Sequence, residues 1–127
     1  MIALDTNVLV AAHRRDAPAH AASHALLEGL ASGSLPFGLL WPSLYEFLRI
    51  VTHHRVFDPP SPLQSALAAV NELMSIPSAR LLSETERHAE VLRQVLQQSP
   101  VEGNLMHDAH LVALALGMGG VRSLCRY

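Results

Sequence analysis

The chain contains no lysine, and all nine of its strongly basic residues are arginine. A P-loop nucleotide-binding site needs a lysine for the terminal phosphates, so this class of ATPase is excluded. Schiff-base chemistry, and aspartyl-phosphate mechanisms that place a lysine beside the acid, are excluded for the same reason. The formal net charge is −2 with histidine neutral, which is not typical of a protein that coats nucleic acid with a broad basic surface. Any nucleic-acid contact is therefore expected to be local.

Cysteine and long apolar runs are also scarce. Cys125 is the only cysteine, so an internal disulfide is excluded and a reducing, cytoplasmic setting is expected. No apolar run reaches the roughly 18 residues that a membrane span needs. Asp5 follows the first apolar residues too early for the N-terminus to fit a signal peptide. The sequence therefore predicts a cytoplasmic protein with no membrane contact.

Half of the 127 residues are hydrophobic, which fits one globular domain over residues 1–127. A strand is expected to end near Asp5, after which Thr6 and Asn7 turn the backbone. Further strands are predicted at Phe37–Trp41, Ala79–Leu82 and Val121–Cys125, and helices at Ala19–Leu30, Ser43–His54, Leu63–Met74, Glu84–Gln98 and Met106–Leu116. This alternation predicts an α/β fold with parallel strands and helical crossovers.

Three carboxylates stand at the boundaries of these predicted elements. Asp5 ends the first apolar run, Glu46 lies in the first turn of one helix, and Asp108 lies at the start of another. Because parallel strands direct their carboxyl ends to one rim of the sheet, acids from distant segments can meet there. Clustered acids repel one another and favour a divalent cation, and ligation by oxygen alone suits Mg²⁺ or Mn²⁺. The sequence thus predicts a metal site at this rim.

Alternative interpretations exist for two of these acids. Ser43 and Glu46 fit the S-x-x-E capping box, in which the glutamate bonds the backbone at the helix start. Asp108 also fits a helix N-terminus, where a negative charge is favourable. His107 and His110 flank Asp108 and raise the possibility of zinc, although this spacing lacks the usual third ligand.

The segments that carry these acids resemble the PIN-domain ribonucleases, in particular the VapC-type toxins of toxin–antitoxin pairs. The resemblance rests on three stretches in order, MIALDTNVLV at 1–10, WPSLYEFL at 41–48 and GNLMHDAHLVA at 103–113. It implies a PIN-like parallel sheet of four to five strands flanked by helices. It also implies that Asp5, Glu46 and Asp108 are the catalytic residues and hold Mg²⁺ or Mn²⁺.

The same resemblance implies a metal-dependent endoribonuclease, the toxin of a type II toxin–antitoxin system, which hydrolyses RNA phosphodiester bonds with metal-activated water. The implied partners are the RNA substrate, a cognate antitoxin protein and a second copy of the chain in a homodimer. Asn7 and Arg49 are candidate substrate contacts. Arg49 lies one helical turn after Glu46, so it is placed either to pair with that acid or to hold a phosphate.

One feature departs from the family pattern. The family usually carries another acidic position after the last strand, whereas no acid follows Asp108 here. The closing segment of the fold is therefore expected to be short or missing, and a second metal to be held loosely. The alternative function is a catalytically degenerate PIN module that acts by binding an antitoxin or itself. A small phosphatase of another α/β fold is disfavoured, because the chain lacks lysine and a second aspartate two positions after Asp5.

Overall fold

The computed structural model describes residues 1–117 and 123–125. The strands are β1 (Ile2–Leu4), β2 (Phe37–Leu40), β3 (Ala79–Leu82) and β4 (Ser123–Cys125). The helices are α1 (Thr6–His13), α2 (His20–Ser32), α3 (Trp41–Val51), α4 (Leu63–Ser75), α5 (His88–Gln98) and α6 (Met106–Gly117), with a 3₁₀ turn at Gly103–Leu105. Strands and helices alternate along these residues, which confirms the predicted α/β fold.

The strands form one parallel sheet in the order β3-β2-β1-β4, which agrees with the predicted four to five parallel strands. In this register Leu4 pairs with Leu39 of β2 on one side and with Cys125 of β4 on the other. The carboxyl ends of these three strands therefore lie side by side, and Asp5 comes directly after the central one. Val121 and Arg122, at the start of the predicted last strand, lie outside the described residues.

The core is divided between the two faces of the sheet. Successive strand residues point to opposite faces, so Leu4 and Leu39 belong to one cluster while Ala3 and Leu40 belong to the other. The first cluster is completed by α1, α3 and α4, and the second by Leu111 and other residues of α6. Helices on both faces bury both sides of the sheet, as parallel sheets require.

The backbone after β1 does not turn at Thr6 and Asn7 as predicted, because α1 begins at Thr6. Asp5 is the cap of this helix. Its backbone is extended, with φ −83° and ψ 161°, and its side chain accepts a hydrogen bond of 2.8 Å from the Thr6 N–H. The buried side chains of Val8 and Leu9 then hold the helix against the core. The side-chain hydrogen bonding that was expected to form a turn after β1 therefore caps the start of a helix instead.

Two predicted helix starts are also shifted. Helix α3 begins at Trp41 rather than Ser43, because Pro42 fits the first turn of a helix, where its missing N–H is not needed. Ser43 is consequently inside the helix, no side chain caps its start, and the capping-box interpretation of Glu46 is wrong. Helix α5 begins at His88 rather than Glu84.

No helix within the described residues is both long enough and apolar enough to cross a membrane.

His13, at the end of α1, is enclosed by the α3 side chain Phe47 and by Ser61. The His13 and Phe47 rings meet edge-on with centroids 5.3 Å apart, and His13 Nε2 lies 3.0 Å from Ser61 Oγ. Burial, and secondarily the charge of Arg14, lowers the pKa of His13 below that of a free imidazole. The unfolded chain therefore binds a proton at higher pH than the folded chain does.

We expect the free energy of unfolding to decrease as the pH falls below about 6.5, the ordinary imidazole pKa, towards the lower pKa of folded His13. Urea unfolding followed between about pH 8 and about pH 5 measures this dependence. His13→Gln should flatten the pH dependence, whereas His54→Gln, at an exposed histidine, should not. An unchanged profile in His13→Gln would contradict the assignment.

Candidate functional site

Asp5 is held at the carboxyl end of β1 with only 8% of its surface exposed. The Thr6 N–H fixes one of its oxygens through the helix cap. The neighbouring Thr6 hydroxyl is buried and makes no hydrogen bond that the structure describes. A carboxylate and a buried hydroxyl, both with oxygen atoms that can bind a cation, therefore belong to neighbouring residues at the end of β1.

Glu46 lies in the second turn of α3, the helix that leaves β2 next to Asp5. Ser43, one turn earlier, is fully buried, and its hydroxyl likewise makes no hydrogen bond among the described residues. The half-buried Glu46 carboxylate accepts two hydrogen bonds from Arg49, one of them from Nε at 3.1 Å. These bonds hold the pKa of Glu46 below its ordinary value against the opposing effect of burial, with a smaller contribution from the charge of His107.

Asp108 lies in the first turn of α6 and is half-buried. One turn later, Leu111 packs in the same cluster as Leu40 and Leu82, which end β2 and β3. Helix α6 also contacts β2, the strand that leads into α3. Asp108 therefore lies one helical turn before a residue that packs against the carboxyl ends of β2 and β3.

The three acids do not form a tight cluster. Within residues 1–117 and 123–125, one set of three histidine, cysteine or acidic side chains has ligand atoms all within 4.8 Å of one another, and it consists of Glu84, His88 and His110. At least one pair among the carboxylates of Asp5, Glu46 and Asp108 is thus farther apart than that. Because Glu46 is bonded to Arg49, its side chain must rotate or share its partner before it can bind an ion with the other two.

The two candidate substrate contacts are both exposed. Asn7 lies in the first turn of α1, two residues after Asp5. Arg49 is paired with Glu46, as the helical spacing allowed, so its guanidinium lies at the same edge as the acids. Neither side chain is buried, and both are therefore accessible to a ligand that binds along this edge.

Two other features of the site are hard to predict from the sequence. The buried hydroxyls of Thr6 and Ser43 were not singled out, and only their adjacency to the acids pointed to them. The zinc alternative placed His110 with His107, whereas His110 Nε2 lies 3.0 Å from Glu84 Oε1 and the His110 ring is 5.1 Å from that of His88. Since these partners come from segments far from α6 in the chain, no local motif reveals the grouping.

Comparison with known proteins gives agreement over most of the chain. Residues 2–121 match the PIN domain. VapC ribonuclease Mb2897 of Mycobacterium bovis is 44% identical over 116 residues, which cover 91% of this chain and 79% of that protein. Ribonuclease VapC37 of Mycobacterium tuberculosis is 36% identical over 113 residues, which cover 89% of this chain and 78% of that protein.

The fold is also shared with a solved structure. The crystal structure of Mycobacterium tuberculosis VapC20, a toxin that cleaves the sarcin–ricin loop, superposes with a TM-score of 0.71 over 100% of this chain and 89% of that one. At 18% identity, this similarity shows the fold alone. With the PIN-domain match over nearly the whole chain and the VapC ribonucleases at 44% identity, the chain belongs to the PIN-domain family as a VapC-type toxin.

Proposed function

We propose that this protein is a metal-dependent endoribonuclease that acts as the toxin of a type II toxin–antitoxin system. The proposal is supported by the chain's membership of the VapC family and by the positions of two acids, since Asp5 directly follows β1 and Glu46 lies in the helix that follows the neighbouring parallel strand, β2. The relatives Mb2897 and VapC37 are ribonucleases by name, which supports RNA as the substrate here.

The residues at this edge fit a hard divalent cation. Three carboxylates supply only oxygen atoms, the ligands that Mg²⁺ and Mn²⁺ prefer. The buried hydroxyls of Thr6 and Ser43 add two oxygens whose hydrogen bonding is unsatisfied within the described chain. A buried polar group left unpaired costs about 1–3 kcal/mol, so a polar ligand or ordered water at this edge would be stabilising. When bound, Mg²⁺ or Mn²⁺ supplies an activated water and neutralises charge on the phosphate.

The protein side chains would contribute in different ways. Asp5 is preorganised, because the cap of α1 fixes its carboxylate before any ligand arrives. Glu46 is kept ionised by Arg49 well below neutral pH, so no proton has to leave before it binds a cation. Asp108, in the first turn of α6, would complete the set. These roles assign Asp5, Glu46 and Asp108 as both metal ligands and catalytic residues.

RNA would be held by a few exposed groups, because the net charge of −2 provides no broad basic surface. Arg49 can release Glu46 and bind a phosphate group of the RNA instead. The Asn7 side-chain amide can donate a hydrogen bond to the RNA. Tyr45, next to Glu46, is 65% exposed and stacks on Trp41 with ring centroids 5.7 Å apart. An exposed aromatic face of this kind suits stacking with an unpaired base. Single-stranded RNA segments are therefore the proposed substrate.

The partners proposed for the chain follow from its family. A VapC-type toxin is inhibited by a cognate antitoxin, which we expect to be encoded alongside this protein and to act with it in the cytoplasm. A homodimer is supported by apolar side chains exposed along α4, among them Leu63 and Leu67. Such side chains are commonly covered in a symmetric interface.

RNA cleavage with and without added metal tests the proposal. We expect cleavage of single-stranded RNA in Mg²⁺ or Mn²⁺ and its loss in excess EDTA, with recovery when Mn²⁺ is restored. Cleavage that persists in EDTA would exclude metal dependence. Absence of both RNA cleavage and saturable calorimetric binding of Mn²⁺ would instead favour the catalytically degenerate module.

A further inference from the structure

Glu84, His88 and His110 form a second group of ligand-type side chains. Glu84 follows β3, His88 begins α5 and His110 lies in α6. One ligand atom from each side chain lies within 4.8 Å of the others, with His110 Nε2 and Glu84 Oε1 3.0 Å apart. We propose that these three residues are a Zn²⁺ site.

The chemistry of the donors selects the metal. Two imidazoles and one carboxylate are the protein ligands found in zinc sites of the His₂Glu type, whereas Mg²⁺ rarely takes imidazole. Zinc bond lengths of about 2.0–2.1 Å place two tetrahedral ligands about 3.4 Å apart. The Glu84 and His110 atoms, 3.0 Å apart, are slightly closer than that, and the other pairs, within 4.8 Å, would approach by at most about 1.4 Å. Glu84 is exposed and both histidines are half-buried, so their side chains have room to rotate.

The site has an open side. A cavity of about 380 Å³ is bordered by His88 and His110, together with Leu92, Met106 and His107. Zinc held by three protein ligands keeps a fourth position for water or a small ligand, and this cavity provides space for one. The geometry therefore matches an open zinc site rather than a closed structural one with four protein ligands.

The zinc ligand His110 and the acid Asp108 occupy different sides of α6. Asp108 and His110 are two residues apart on α6, so their positions differ by about 200° around the helix axis. Glu84 and His88 come from the segment that leads into α5, which packs against α6. A zinc ion here would join the end of β3, the start of α5 and the middle of α6. The proposal does not depend on RNA cleavage.

The test uses untagged full-length protein in excess Mg²⁺, which occupies carboxylate sites but competes poorly for imidazole. Calorimetric titration with Zn²⁺ should show one saturable site per chain and a raised Tm. His88→Ala and His110→Ala should each weaken this binding at least about tenfold. The matched control is His24→Ala. His24 lies 3.6 Å from Glu28 in a similar histidine–glutamate pair, but it belongs to no three-residue group among the described residues.

Glu84→Gln provides a second variant, because replacing an exposed side chain is expected to have little effect on the free energy of unfolding. It should weaken Zn²⁺ binding while the far-UV circular dichroism stays that of the parent. Co²⁺ titration should give the visible absorption of a tetrahedral site in the parent and lose it in Glu84→Gln. The proposal is overturned if no saturable Zn²⁺ site appears. It is equally overturned if folded Glu84→Gln and the two histidine variants bind Zn²⁺ as tightly as His24→Ala does.

Discussion

Asp5→Asn should reduce the rate of RNA cleavage at least about 100-fold, a loss typical of removing one preorganised electrostatic group from an active site. The expected mechanism is loss of a charged metal ligand rather than loss of structure. Asn also accepts a hydrogen bond at a helix cap, so the contact with the Thr6 N–H can be kept. Initial rates in Mn²⁺, measured together with thermal unfolding, separate the two causes.

Asp16→Asn is the charge-matched control for this experiment. Asp16 is exposed and pairs with Arg14 at 2.7 Å, away from the carboxylate edge. The Asp16→Asn substitution removes one negative charge, as Asp5→Asn does. It should leave the rate of RNA cleavage within about twofold of the parent rate, as expected for a surface substitution. Equal rates of RNA cleavage by the parent and by Asp5→Asn would show that Asp5 has no catalytic role and serves only as a helix cap.

Phe47→Ala should lower the free energy of unfolding by about 3–5 kcal/mol, the usual result of emptying a buried aromatic position. Phe47 is 1% exposed and lies in the larger core cluster, where its ring meets His13 edge-on. A domain of this size is stable by only about 5–15 kcal/mol, so the variant should lose much of its resistance to denaturant. The urea midpoint, at unchanged slope, measures the loss.

Tyr45→Ala is the comparison for Phe47→Ala, since it removes an aromatic side chain from the same helix. Tyr45 is exposed, so its loss should change the free energy of unfolding by less than about 1 kcal/mol. Similar destabilisation by the two substitutions would show that α3 does not pack through Phe47 as the structure describes. Because Tyr45 is also a proposed RNA contact, Tyr45→Ala can differ from the parent in RNA cleavage even where its stability is unchanged, so the comparison is made on the free energy of unfolding alone.

The fold could be predicted from the sequence because strand and helix patterns alternate clearly. The strands at Phe37–Leu40 and Ala79–Leu82 were located to within one residue. Helix α1 was missed, since Thr6 and Asn7 favour turns and helix starts by the same side-chain hydrogen bonds. The surrounding core favours the helix, in which Val8 and Leu9 are buried. A local pattern does not contain that information.

The candidate site was predictable in part for a related reason. Each acid stands beside a recognisable element boundary, and the parallel sheet puts those boundaries at one edge. Whether the acids can share an ion depends on the orientation of their side chains, which the sequence does not determine. The pairing of Glu46 with Arg49 is an example. The group formed by Glu84 and His110 was unpredictable because it depends on how α5 packs against α6. Its only trace in the sequence is the four-residue spacing of Glu84 and His88.

The position of β4 has a consequence for how the fold forms. Its partner, β1, is the first of the described strands along the chain, and β4 is the last. Pairing of these two strands joins Ile2 to Ser123, so it closes the longest loop in the sheet. Because contacts between distant segments form slowly, we expect β4 to add to the sheet late in folding.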